Sequence, residues 1–282
     1  MGRDQQRRKR RVKTRPFGGA QVPVIGQGTW QIDETDAAEA VLALRTGIDL
    51  GLTHIDTAEM YGSGFSERLV AQAIEGRRSE VFLVSKVLPD NASRRGTVEA
   101  CERSLQRLRT ETLDCYLLHW PGPHPLEDTI AAFEELRSSG KIRSYGVSNF
   151  DEALLEEAVR IAGPGKIACN QVLYNLSERH VEARLLPMCQ TLGIALVGYS
   201  PFMNLPSGGA LAQVARELGA TPPQVALAFL VRLPGTFAIP KAQKVAHVRE
   251  NAGAADLKLS RDQISRLEKA YPLHLRSELP TA

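Results

Sequence analysis

Eight short apolar or β-branched runs recur along the chain, at residues 26–30, 53–56, 80–86, 113–119, 142–148, 168–172, 194–199 and 236–239. Helical patterns separate them, over 36–50, 66–76, 93–109, 125–139, 151–162, 180–192, 222–232 and 243–254, with another over 260–271. Several carry start or stop signals: Ser66 with Glu67 and then Gly76, Gly51 after the first, and Thr221-Pro222 before the seventh. Such alternation has few solutions, and parallel strands with helical crossovers are the main one. The alternatives are a closed barrel and an open doubly wound sheet. The open sheet announces itself by an early Gly-rich dinucleotide turn. Here Gly26-Gln27-Gly28 runs into Thr29-Trp30 with no third glycine in register. The expectation is therefore an α/β protein, a (β/α)8 TIM barrel. The length of 282 residues suits one such barrel, which takes about 250.

Ahead of the alternation, Val12–Phe17 and Gln21–Ile25 flank Gly18-Gly19, which reads as a β-hairpin. It is expected to cap the barrel bottom, and two helices are expected beyond the barrel set. Residues 1–15 hold eight Lys/Arg against Asp4, a net +7 in a chain of total +3, leaving −4 for residues 16–282. Without aromatics to stack on bases, residues 1–11 read as a disordered basic tail and not as a nucleic-acid arm. The domain expectation is then a tail over 1–11 and one barrel over 12–282. No apolar run approaches the roughly 18 residues of a membrane helix, and no apolar stretch follows the basic start as a secretory signal requires. The reading is a cytoplasmic monomer with no nucleic-acid or membrane partner. Cys101, Cys115, Cys169 and Cys189 lack metal or redox spacing.

Chemistry in these barrels sits where strands end at the C-terminal rim. The polar residues at those ends are Asp56 and then Tyr61, Lys86, His119 with Trp120, Ser148 with Asn149, Asn170 with Gln171, Tyr199 with Ser200, and Lys241. No Ser or Cys stands in a nucleophile elbow, and no HxH or HExxH offers metal ligands, so no metal is expected. Proton transfer remains. A phenol holds its proton at neutral pH. A lysine beside it should lower its pKa toward the working range and make it a better donor. An Asp would hold that lysine charged, and a His could donate to a substrate oxygen. Together they describe an acid that protonates a carbonyl oxygen as hydride reaches the carbon.

The stretches GQGTW (26–30), HIDTAEMYG (54–62), LVSK (83–86), LLHWP (117–121), GVSNF (146–150), NQ (170–171), YSP (199–201), IPK (239–241) and EN (250–251) resemble the aldo-keto reductases. The likeness runs from about residue 12 to 272 and is nearest to bacterial methylglyoxal or 2,5-diketo-D-gluconate reductases. It implies Tyr61 as general acid, Lys86 tuning it, Asp56 paired with Lys86, and His119 orienting the carbonyl. It implies cofactor contacts at Gly28, Thr29, Ser148, Asn149, Gln171, Tyr199, Ser200, Phe202, Lys241, Lys244, His247, Glu250 and Asn251. Tyr199 would stack on the nicotinamide, while Trp30 and Trp120 would line the substrate pocket. At the phosphate end, Ala242 and His247 stand where NADPH-specific members have Ser and Arg. Lys241 and Lys244 can still hold a 2′-phosphate. NADPH is thus the implied cofactor, with use of NADH left open. The implied activity is reduction of small aldehydes and α-dicarbonyls, methylglyoxal-like or keto-sugar, to alcohols. The alternative is a catalytically weak binding or regulatory subunit that keeps fold and cofactor. His54, two residues before Asp56, reads as packing.

Overall fold

The computed structural model describes residues 12–34 and 36–281. The basic run at 1–11, expected as a tail, lies outside the described residues. A hairpin comes first, β1 (Thr14–Phe17) and β2 (Ala20–Pro23), paired antiparallel. Gly18 and Gly19 between them take φ of 56° and 80°, the left-handed pair that a two-residue hairpin turn requires. The barrel follows: β3 (Gln27–Gly28), α1 (Ala37–Asp49), β4 (His54–Asp56), α2 (Phe65–Ile74), β5 (Phe82–Val87) and α3 (Arg94–Leu108). It continues through β6 (Leu113–Leu118), α4 (Leu126–Ser138), β7 (Ile142–Ser148), α5 (Glu152–Ala162), β8 (Ile167–Leu173) and α6 (Leu185–Leu192). β9 (Ala195–Tyr199), α7 (Gly209–Glu217), α8 (Pro222–Leu230), β10 (Thr236–Ala238), α9 (Val245–Ala254) and α10 (Arg261–Ala270) complete it.

β3 to β10 pair in sequence order, all parallel. The sheet closes on itself where Gly26 N donates to Ala238 O at 2.8 Å and Gly28 N to Pro240 O at 3.1 Å. A side chain at Gly28 would meet the Ile239 carbonyl at 2.6 Å, so this seam needs glycine. Alternation along the strands divides the core. Val84, Cys115, Leu117, Cys169 and Val197 fill the barrel, whereas Ile55, Leu83, Tyr116, Leu118 and Leu196 pack against the helices.

The hairpin plugs one end of that interior, as expected. Phe17 lies 5.6 Å from the His54 ring, 4.8 Å from Phe82 and 5.3 Å from Phe237. The Arg15 guanidinium donates to Thr236 O at 2.7 Å and Val231 O at 2.8 Å, anchoring the hairpin to the start of β10. All eight strand runs coincide with strands to within a few residues. Two helical expectations need correction. Residues 180–192 are not one helix but a 3-10 turn, His180–Glu182, followed by α6. Pro187 has no N–H and fits only the first turn of a helix, so α6 starts just before it. The helix α7, with its GALAQVARE sequence, has no counterpart in the sequence reading, which assigns no element there. With α10 it is the second helix beyond the barrel set. Among the described residues, no helix is long and apolar enough to cross a membrane.

His54 is fully buried in the barrel floor, and neither ring nitrogen has a hydrogen-bond partner among the described residues. Burial first, and then the Lys86 charge, hold its pKa down at about 4 against the opposing pull of Asp56. Unfolding restores the ordinary value of 6.5. Between these values the unfolded chain binds a proton that the fold excludes, so stability falls as pH falls. The loss from this group should be about 2 kcal/mol between pH 7 and pH 5. Thermal melts of the protein and of His54→Leu across that window should show a shallower pH slope for the variant. Equal slopes would assign the acid sensitivity to other groups.

Candidate active site

Period-two alternation carries the inward rows of the strands out to the C-terminal rim. Asp56 lies two residues beyond His54, Lys86 beyond Val84, His119 beyond Leu117, Gln171 beyond Cys169 and Tyr199 beyond Val197. Each therefore continues an inward row toward that rim, His119 one residue past the end of β6. Asp56, His119, Gln171 and Tyr199 line one cavity of about 340 Å³ with Tyr61, Gly28, Thr29, Trp30, Trp120, Ser148, Asn149, Ser200 and Lys241, and Lys86 lies behind the lining, its ammonium against the Tyr61 hydroxyl. The sequence reading omits Met60, Pro201, Met203 and Ile239, which complete the wall. Met60, Pro201 and Met203 adjoin residues that the reading names, and that adjacency was the available signal; Ile239 lies two residues before Lys241.

Lys86 is the centre of the polar contacts. Its ammonium donates to Asp56 Oδ1 at 2.5 Å, to the Thr57 carbonyl at 2.9 Å and to the Tyr61 hydroxyl at 3.2 Å. Lys86 and Asp56 are almost entirely shielded from solvent. Gln171 Nε2 donates to the second oxygen of Asp56 at 2.8 Å, so the side chain expected on the cofactor also holds the Asp56 carboxylate. Thr29 Oγ1 donates to the Asp56 carbonyl at 3.0 Å. Asn149 Nδ2 donates to the His119 carbonyl at 3.2 Å, and the Tyr199 hydroxyl donates to Asn149 Oδ1 at 2.9 Å. Asn149 and Ser200 have φ of 61° and 50°. Left-handed backbone at non-glycine residues is strained and clusters at functional sites.

The electrostatics depart from the sequence expectation in one respect. Lys86 does pull the Tyr61 pKa down, but burial of the phenol outweighs it, and the net shift is upward. The low-dielectric site that strengthens the pair also disfavours a phenolate. The Lys86 pKa is raised because attraction to Asp56 and Tyr61 overcomes its own desolvation. His119 is driven down to about 2, by burial and then by Lys86, so its imidazole is neutral. Its buried Nδ1 has no hydrogen-bond partner among the described residues. An N–H there would have no acceptor, which favours the tautomer with the proton on Nε2.

Four aromatic rings form an arc at the mouth. Trp30 meets Tyr61 at 5.1 Å, Tyr61 meets His119 at 5.6 Å, and His119 meets Trp120 at 4.7 Å. Trp30 and Trp120 remain 48% and 36% exposed, free to receive a ligand. The remaining expected cofactor residues lie outside the cavity lining. Phe202 packs half-buried against the inner core. Lys244 is the N-cap residue of α9, His247 is exposed on that helix, Glu250 is half-buried and Asn251 is buried.

A model of the "Aldo/keto reductase family" matches residues 24–272. Methylglyoxal reductase YeaE of Escherichia coli K12 is 44% identical over 265 residues, covering 90% of this chain and 93% of that protein. Glyoxal reductase of Bacillus subtilis 168 is 34% identical over 258 residues, covering 89% of each chain. The crystal structure of an aldo/keto reductase from Klebsiella pneumoniae in complex with NADP and acetate superposes with a TM-score of 0.92 at 43% identity, covering 96% of this chain and 100% of that one. A match spanning nearly all of the described fold, with the sequence motifs brought to one rim, leaves a single conclusion: the chain belongs to the aldo/keto reductase family.

Proposed function

We propose that the protein reduces small aldehydes and α-dicarbonyls of the methylglyoxal type with NADPH, using Tyr61 as the general acid. The observation that carries this reading is the Asp56–Lys86–Tyr61 chain, ending on a phenol in a cavity that also holds a neutral His119. The relatives that reduce methylglyoxal and glyoxal support the substrate class, and the NADP-bound neighbour supports the cofactor.

The donor set fits a nicotinamide. Ser148, Asn149 and Gln171 offer hydroxyl and amide groups suited to a carboxamide, beside the Tyr199 ring, whose hydroxyl Asn149 fixes. Lys241 lines the same cavity, and the N-terminus of α9 lies close behind in sequence. When bound, NADPH supplies the hydride that the carbonyl carbon takes up. The Nε2–H of His119 orients the carbonyl oxygen. Tyr61 passes its proton to that oxygen as charge develops there, and the Lys86 ammonium stabilises the phenolate left behind. Asp56 keeps Lys86 charged and in place. This intact chain of roles favours an enzyme over a subunit that only binds.

The direct test is loss of the near-ultraviolet absorbance of NADPH on adding methylglyoxal. No turnover across a panel of aldehydes and dicarbonyls would refute the reading. Within it, Lys241 and Lys244 take the adenosine 2′-phosphate. Charged hydrogen bonds are worth about 1.5–3 kcal/mol, and partial exposure puts Lys241 at the low end. Lys241→Ala should raise the KM for NADPH roughly tenfold and change that for NADH little. His247→Arg should shift preference further toward NADPH by offering a planar fork. Equal weakening of both cofactors by Lys241→Ala would rule out the phosphate contact.

A further inference from the structure

The loop that carries Tyr61 is fastened at both ends, and the downstream fastening reaches the strand that carries Lys86. Upstream, Glu59 Oε1 accepts from Leu88 N at 2.7 Å and Asn91 Nδ2 at 3.0 Å. Downstream, Tyr61 opens the 3-10 turn Tyr61–Gly64, in which Gly62, Ser63 and Gly64 have φ of 54°, 50° and 83°. Three successive left-handed residues, one of them serine, are not a low-energy turn and persist only where the surroundings dictate them. The surroundings here are polar and buried. Glu67, in the first turn of α2, is fully buried. Its Oε1 accepts from the Ser85 hydroxyl at 2.6 Å and its Oε2 from Arg107 Nε at 2.5 Å. Arg107, in the last turn of α3, also donates from Nη2 to Ser104 Oγ at 3.1 Å. Its side chain lies directly on the turn, since a Cβ at Gly64 would be 2.6 Å from Arg107 Cδ and Nε.

Ser85 is the residue before Lys86 on β5, so the chain Ser104–Arg107–Glu67–Ser85 joins the phenol's turn to the ammonium's strand. None of the four lines the cavity. Stability is a weak reason for such an ion pair, because well-packed apolar residues usually serve as well or better. We propose that Arg107 and Glu67 are positioning residues that fix the spacing between the Tyr61 hydroxyl and the Lys86 ammonium, and through it the rate of proton transfer. The inference rests on the reading of Tyr61 as the acid.

Glu67→Gln and Arg107→Met test it, with methylglyoxal reduction and the reverse alcohol oxidation measured against pH. A misplacement of about 1 Å costs up to about 10²-fold in rate, so kcat should fall roughly tenfold to a hundredfold with the KM for NADPH unchanged. A more distant lysine favours the phenolate less. The midpoint of alcohol oxidation, which follows loss of the Tyr61 proton, should therefore move to higher pH by about one unit. Arg107→Lys should recover part of kcat. Arg232→Met, which breaks a separate buried network with Glu182 and Tyr174, should lower the melting temperature and leave the midpoint in place. Wild-type kcat in both test variants, or a lower kcat with an unmoved midpoint, would overturn the proposal. Should Arg107→Met not fold, Glu67→Gln, which exchanges one oxygen for nitrogen, decides on the same readouts. A Tyr61→Phe protein as active as wild type would instead sink the acid assignment, and this inference with it.

Discussion

Tyr61→Phe should cut turnover of methylglyoxal by about 10²–10⁴-fold, the worth of a positioned acid, while leaving NADPH affinity unchanged. The phenol is buried at the head of the cavity, and its hydroxyl is 3.2 Å from Lys86 Nζ. Burial keeps the proton on this oxygen through the neutral range, so under the proposed role the acid is loaded before substrate arrives. Phenylalanine preserves the ring contacts with Trp30 and His119 and removes only the transferable proton. The fold and the cofactor face should therefore be undisturbed. Steady-state kinetics with a fluorescence titration of NADPH check both halves. Retention of more than about a tenth of wild-type turnover, well outside the range for a lost acid, would remove Tyr61 from the role. Weakened NADPH binding would place the hydroxyl on the cofactor.

Lys86→Met should abolish turnover at least as completely and should also destabilise the protein, by about 3–5 kcal/mol. The ammonium has three partners, and among the described residues nothing else supplies a cation to Asp56, whose remaining side-chain contact is the neutral Gln171 amide. Methionine fills much of the lysine stem's volume, so the loss reports the unpaired carboxylate more than a cavity. Adding Asp56→Asn removes that charge. The double variant should regain a large part of the stability and none of the turnover, since the phenolate would still lack its counter-charge. Denaturant melts and kinetics of the two proteins separate the structural from the chemical consequence of the pair. If Lys86→Met unfolds like wild type, the carboxylate must be satisfied elsewhere.

The barrel and the residues at its rim were legible in the sequence because both depend on local periodicity. Strand runs alternate in two, helices in three to four, and a polar residue placed one step past an apolar inward row must emerge at the mouth. That is why Asp56, Lys86, His119, Gln171 and Tyr199 could be named before any distance was known. The helix α7 escaped because it follows a Ser-Gly-Gly stretch that reads as loop, and the split before α6 because one proline decides it. Other features belong to the tertiary structure alone. The Gln171 amide bonds to Asp56 across 115 positions of sequence, a contact set by barrel closure and strand stagger. Arg107 finds Gly64 and Glu67 only because α3 packs beside α2. The direction of the Tyr61 shift was decided there too. The sequence could name the lysine that pulls the phenol's pKa down, but desolvation is a sum over every atom that displaces water. That sum exists only once the walls of the barrel have closed around the ring.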